Sequence, residues 1–428
     1  MTTKGKAVVR RFLSSAALAA LALTLGACSK ADEKPAPAAS VAAEAKQDTS
    51  YPLTPAVIAM RHQLLNPEVE SFTFRDTDKV FESRAVTRAG DVWELPHAEG
   101  FAMPRDIVGG QSYDYPQFAE RSFTNAMLVI KGGRIVFEDY RNRSDEHTHF
   151  LSMSMAKTIT SLLVGIAVAE HDIRSLDDPA DRYVPELRGT GYEGVTVRQI
   201  LQMRSGVDYD ERYDFGSHPS FAAKLHEQAI VLNRMRFASG ALETKRKTAP
   251  GSTFNYSTLD AMVLGWVLEK ATGDRLETFT RTHLWEPLGA EGDAFWLADG
   301  PPGTGRALNG MGFNATLRDY GRLGLLMLRN GKRGDDVIVN KWMAEATKML
   351  PTGMPKGQGF PGYGYQIWQV DDEPGAYAAV GLAGQYIYVS PKTDTVIVKL
   401  SYYPPKPPPG LEAETIAYFK AIAHAPAP

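Results

Sequence analysis

Between residues 152 and 170 the chain reads SMSMAKTITSLLVGIAVAE, with Lys157 and the terminal Glu170 as its only charges. Met155, Ile159, Leu162, Leu163 and Ile166 recur at three- and four-residue intervals, and Ala and Val fill the gaps. That spacing predicts a helix buried nearly all round. It is too short, and too polar at its start, to cross a bilayer of about 30 Å. The rest of the chain must therefore enclose it. Residues 126–130, Lys131-Gly132-Gly133 and residues 134–140 read as a β-hairpin closed by a glycine turn. From 177 to about 318 the signals are helical, at 195–203, at 259–271 closed by Gly273, and at 317–328 closed near Gly331. Strand patterns return at 363–370, 377–380, 385–389 and 395–400, and a closing helix is predicted at 412–423. Strands at both ends with helices between predict an α/β fold: an antiparallel sheet flanked by helices, assembled from residues 51–176 and 310–428, with a mainly helical domain at 177–309 inserted.

The first fifty residues read differently. Lys4, Lys6, Arg10 and Arg11 precede an apolar stretch at 12–25, followed by small residues, which is the pattern of a secretory signal covering 1–27. The one cysteine of the 428-residue chain, Cys28, stands at the expected cut, Leu25-Gly26-Ala27-Cys28. A single thiol allows no internal disulfide and no cysteine-based metal site. Residues 28–50 are rich in Ala, Pro, Lys and Glu and lack large apolar side chains, so they read as a disordered tether. The formal charge of −3 makes a nucleic-acid partner a poor fit.

Ser154-Met155-Ala156-Lys157 opens the buried helix. Three residues is just under one turn, so hydroxyl and ammonium project from the same face. Two readings are open: a capping serine with a solvated lysine, or a serine nucleophile whose proton is taken by a lysine made less basic by burial. About a hundred residues later, Phe254-Asn255-Tyr256-Ser257-Thr258 precedes a predicted helix, where Tyr256 is either a proton relay or a packing residue. Ala379-Val380-Gly381-Leu382-Ala383-Gly384 lies between two late strands, either as a hairpin turn or as backbone that approaches a ligand and donates an N–H to an oxyanion.

The order Ser-x-x-Lys, Tyr-x-x and glycine-bearing third strand resembles the serine β-lactamase and penicillin-binding-protein superfamily. Flanking text agrees: Ser175-Leu176-Asp177-Asp178-Pro179, Thr196-Val197-Arg198-Gln199-Ile200-Leu201, Arg204-Ser205-Gly206-Val207 and Phe313-Asn314-Ala315-Thr316. The resemblance covers most of 120–405 and is strongest to the class C-like branch, especially 6-aminohexanoate-dimer hydrolases and related carboxylesterases. It implies a β-lactamase/transpeptidase-like fold, Ser154 as nucleophile, Lys157 as base, Tyr256 as relay, and the N–H groups of Ser154 and Leu382 as oxyanion hole. It assigns Tyr213, Thr258, Val380 and Gly381 to substrate binding, and the region before Cys28 resembles a lipobox, which makes that cysteine a lipid attachment point. The expected protein is a lipoprotein on the periplasmic side of a membrane, the outer one if the host is Gram-negative, with no protein partner evident.

Two departures narrow the chemistry. Thr258 stands where the lactamases and peptidases usually carry Asn, and Ala379-Val380 where they carry Lys-Thr. That missing lysine would have paired the carboxylate of a β-lactam or of a terminal D-alanine, and an unpaired buried carboxylate is costly. A small-molecule ester or linear amide is therefore the expected substrate, without cofactor or metal. Weak β-lactamase activity, D-alanyl-D-alanine carboxypeptidase activity and a catalytically silent scaffold are the alternatives. His147-Thr148-His149 reads as a solvated strand end rather than a metal site, since no acidic or histidine partner lies at ligand spacing.

Overall fold

The computed structural model describes residues 53–355 and 359–428. The expected signal, Cys28 and the tether lie outside the described residues. Strands β1 (Ser83–Val86), β2 (Thr124–Lys131), β3 (Arg134–Tyr140), β4 (Phe150–Leu151), β5 (Ala294–Leu297), β6 (Phe313–Ala315), β7 (Leu350–Pro351), β8 (Gly362–Tyr363), β9 (Trp368–Gln369), β10 (Tyr377–Gly381), β11 (Gln385–Ser390) and β12 (Thr395–Ser401) carry the two sheets discussed below. The helices that matter for the site are α1 (Met155–Ala169), α2 (Val197–Leu201), α3 (Thr258–Thr272), α4 (Leu317–Leu328) and α5 (Leu411–His424).

The main sheet has eight strands in the order β7-β8-β9-β10-β11-β12-β2-β3, every neighbour antiparallel. The last long strand of the chain pairs with the first hairpin, Val396 facing Ile130 and Val398 facing Leu128. The sheet is thus built from both chain ends, as the sequence predicts. All eight residues of β2 and all seven of β12 are buried, because helices cover both faces. Tyr386 and Tyr388 contact Phe419 of α5, while the intervening Ile387 lies against Gly324 of α4. Side chains alternate faces along a strand, so α4 and α5 cover opposite sides. A methyl at Gly324 would stand 2.9 Å from the Ile387 Cγ2 atom, which is why α4 can lie so close to the sheet.

The helix at α1 ends one residue earlier than predicted and is buried on all sides, packed between α3 and β10. Ile159, Leu162, Leu163 and Ile166 are each at most 2% exposed. A capping serine, Ser257, accepts from the Asp260 amide to start α3, and Gly273 ends it in the left-handed conformation at φ 80°. Both ends therefore fall where turn chemistry puts them.

Two parts of the sequence reading are revised. The strand expected over 363–370 is two short strands, β8 and β9, joined by a turn in which Gly364 N donates to Ile367 O. Gln366 sits in that turn at φ 60° and donates its side-chain amide to Leu201 O at the end of α2. A second sheet, β1-β5-β6-β4, runs through territory read as helical or left unassigned. Its strands have two to four residues, too few for a period to register. One of them matters to the site: β4 runs directly into Ser152, Met153 and Ser154.

Candidate active site

Ser154 is the residue before α1, and its side chain caps nothing. Its hydroxyl instead receives a hydrogen bond from Lys157 Nζ at 2.9 Å. Lys157 is 1% exposed, which excludes the reading of a solvated first-turn lysine. Its amine has two more acceptors, Thr258 Oγ1 at 3.0 Å and Gly310 O at 2.8 Å. Burial pulls its pKa from the ordinary lysine value down to about 8, against the opposing field of Glu211. With a pKa near 8, roughly one amine in ten is neutral at pH 7, so it can act as a base near neutral pH.

The backbone entering the helix is strained. Met153, a non-glycine residue, sits at φ 44° directly before the nucleophile. Left-handed backbone at a side-chain-bearing residue persists only where surrounding packing holds it. Here Met153 is 6% exposed, and β10 presses on it from the side. A Cβ added to Gly381 would lie 3.1 Å from Met153 Cβ and would overlap the Ser152 carbonyl oxygen. Glycine at 381 therefore permits the closest approach of β10 to the turn bearing Ser154. Leu382 follows at the hairpin tip with 57% of its surface exposed, and Val380 is half-buried.

Tyr256 lies beside Ser154. The Lys157 ammonium stands 5.0 Å from its ring centroid. Burial raises the Tyr256 pKa, and a hydrogen bond with Ser154 partly reverses that shift. Its ring packs on Trp368 at 5.4 Å between centroids, and Phe254, Phe360 and Tyr363 surround the same tryptophan. This neutral aromatic wall is supplied largely by the β8–β9 turn region that the sequence read as one continuous strand.

The expected substrate-binding residues divide. Gly381 stands beside the turn bearing Ser154. Thr258 does not face outward: it is 1% exposed, and its hydroxyl is held between Lys157 and Glu211. Its place is at the first turn of α3, behind the lysine. Tyr213 is half-buried and donates to Glu211 Oε1 at 2.6 Å, with Phe215 stacked on its ring and His226 edge-on to it. Glu211 is the residue that sequence reasoning passed over, although Tyr213, two positions on, was singled out. A carboxylate among several on a polar loop carries no periodicity to single it out. His147 is exposed, and His149 bonds the Asp293 carbonyl at 2.8 Å. Among the described residues, no group of three or more His, Cys, Asp or Glu side chains is placed to share a metal ion.

A buried Ser-x-x-Lys pair at the head of a central helix, against an antiparallel sheet, defines a serine hydrolase. The chain belongs to the family described as Beta-lactamase, whose model matches residues 119–419. A 6-aminohexanoate-dimer hydrolase of Paenarthrobacter ureafaciens is 32% identical over 311 residues, covering 70% of this chain and 78% of that protein. Esterase EstB of Burkholderia gladioli is 30% identical over 198 residues, 42% of this chain and 49% of the esterase. Among solved structures, a putative 6-aminohexanoate-dimer hydrolase from Bacillus anthracis superposes with a TM-score of 0.74 at 24% identity, covering 84% of this chain and 95% of its own. At that identity the superposition speaks for the fold alone.

Proposed function

We propose that this hydrolase cleaves ester or linear amide bonds through an acyl-enzyme on Ser154. The observation that carries the reading is the 2.9 Å contact between Ser154 Oγ and an amine whose pKa burial lowers to about 8. In the first half-reaction Lys157 accepts the hydroxyl proton as Oγ attacks the carbonyl carbon, and the carbonyl electron pair moves to oxygen. The amides of Ser154 and Leu382 hold that oxyanion. Collapse expels the alcohol or amine, which takes a proton relayed through Tyr256 and Lys157. Water then attacks the acyl-enzyme by the same route in reverse, releasing the acid and restoring the serine.

The substrate class follows from what faces the nucleophile. Ala379-Val380-Gly381 offers no cation, and the neighbouring wall of Tyr256, Trp368 and Phe360 is neutral. Neutral acyl groups fit this surface better than the carboxylate of a β-lactam or of a terminal D-alanine. The relatives named 6-aminohexanoate-dimer hydrolase and esterase support the same choice. Export through residues 1–27 and lipid attachment at Cys28, on the periplasmic side of a membrane, complete the proposal.

The test is a fluorophosphonate probe together with a panel of p-nitrophenyl esters, linear amides, nitrocefin and D-Ala-D-Ala peptides. Covalent labelling at Ser154 with ester turnover at least tenfold above nitrocefin turnover is expected. Absence of labelling would leave a silent scaffold, and comparable nitrocefin turnover would restore a β-lactamase.

A further inference from the structure

Glu211 closes a hydrogen-bond chain that begins at the nucleophile. Its Oε1 atom accepts from Thr258 Oγ1 at 2.7 Å and from the Tyr213 hydroxyl at 2.6 Å, and its Oε2 accepts from the Thr258 amide at 2.6 Å. Thr258 Oγ1 in turn accepts from Lys157 Nζ at 3.0 Å. A threonine hydroxyl has one proton to give. With that proton committed to Glu211, Thr258 can only accept from the lysine. Gly310 O, a carbonyl, can likewise only accept.

The consequence concerns the neutral amine, the form that removes a proton. It keeps two N–H bonds and one lone pair. Two acceptor-only partners take the two N–H bonds, and the lone pair is left for the third neighbour, Ser154 Oγ. Without Glu211, the Thr258 hydroxyl is free to turn and donate to that lone pair, in competition with the serine. Resting on the Ser154 acyl-enzyme reading, we infer that Glu211 is a positioning residue: through Thr258 it fixes which way the Lys157 lone pair points, and its charge holds the lysine in place as the base of Ser154.

The charge has a separate, readable effect. Glu211 is the charged side chain whose field acts on Lys157, and that field raises the lysine pKa against burial. The other titratable groups around them are Tyr209, Tyr213 and Tyr256, all raised by burial, and Asp260, which burial raises to about 7. The tyrosines titrate too high to shape activity near neutrality. Asp260 titrates in the relevant range and also feels Glu211, so it needs its own control.

The experiment is the pH profile of kcat/KM for p-nitrophenyl butyrate, with the purified full-length protein. Glu211→Gln is expected to lower kcat by roughly 10- to 100-fold with KM changed less than threefold, while the acid limb moves down by roughly one pH unit. A merely structural role would lower activity without moving the limb. Thr258→Val should lose kcat on a similar scale, and Thr258→Ser, which keeps the hydroxyl, should restore it. Asp260→Asn should leave the limb where it is. A limb that stays in place in Glu211→Gln, or that follows Asp260, would overturn the inference. If Glu211→Gln keeps wild-type behaviour while Ser154→Ala is inactive, the positioning role falls and the acyl-enzyme reading stands.

Discussion

Among the described residues, two buried lysines touch a serine hydroxyl, one at the head of α1 and one on β12. Lys399 is fully buried and contacts the Ser401 hydroxyl, as Lys157 contacts Ser154. Both amines are made less basic by desolvation. There the likeness ends. Ser401 is 1% exposed, and Lys399 is further tied to Ser122 O at 2.8 Å and packed against the Tyr403 ring at 4.7 Å. Ser154 is half-open, at a strained turn, beside a glycine-bearing strand. Low basicity alone is therefore a by-product of burial. What makes a site is the same amine next to a hydroxyl that a substrate can reach, with a carboxylate behind it.

The largest effects should separate the two pairs. Ser154→Ala and Lys157→Ala are each expected to reduce kcat/KM for a short p-nitrophenyl ester by ~10⁴-fold or more. Lys399→Met should stay within roughly twofold, because it alters the sealed pair only. Steady-state rates on the three variants decide it; a large loss in Lys399→Met with an unchanged melting temperature would break the comparison. Next in size is Gly381→Ala. Its methyl cannot be accommodated against Ser152 and Met153 without moving β10 away from the nucleophile. A misplacement of that kind is expected to cost about 100-fold in kcat, while far-ultraviolet circular dichroism stays native.

A third prediction uses the lysines' charge. The folded pKa of Lys157, about 8, lies below the ordinary value of 10.5. Between those values the unfolded chain binds the extra proton, so stability rises as pH rises through this window and is lower below pH 8. The difference corresponds to about 3 kcal/mol. Lys157→Met should be inactive yet flatten this dependence, melting closer to the same temperature at pH 7 and pH 9.5 than the wild type does. Calorimetric scans at the two pH values check it. An unchanged slope would mean that the amine is not desolvated in the folded protein, and the first prediction would then lose its physical basis.

How far the sequence could be read follows from the range of each interaction. Helix α1, the hairpin β2–β3 and the glycine stop of α3 rest on neighbours three or four residues apart or on turn chemistry, and all were legible. The Ser-x-x-Lys pair was legible for the same reason. The sheet β1-β5-β6-β4 was not, because Phe150 and Ala315 pair across the chain in strands too short to show a pattern. Nor was the break in residues 363–370, where an amide from Gln366 to α2, not local propensity, bends the chain. Thr258 was placed on the substrate side because its motif sits next to Tyr256. Only the fold shows that two residues on, at the first position of α3, the side chain turns inward. Glu211 illustrates the same limit, since its role depends on a residue 47 positions away.

The smallest expected effect tests whether the loop carrying Glu211 also touches the substrate. The Tyr213 hydroxyl is engaged with Glu211, and its ring is stacked with Phe215, whose own surface is 54% exposed. Tyr213→Phe removes one donor to the carboxylate and leaves the ring. If the hydroxyl serves Glu211 alone, ester and amide turnover should fall together by roughly fivefold, in keeping with one lost hydrogen bond of about 1 kcal/mol. If the loop moves so that the hydroxyl donates to a leaving amine, the amide rate should fall at least tenfold further than the ester rate, since an amine needs protonation to depart and an alcohol with low basicity does not. The ratio of the two losses, measured on an ester and an amide with the same acyl group, therefore says on which side of the lysine Tyr213 works.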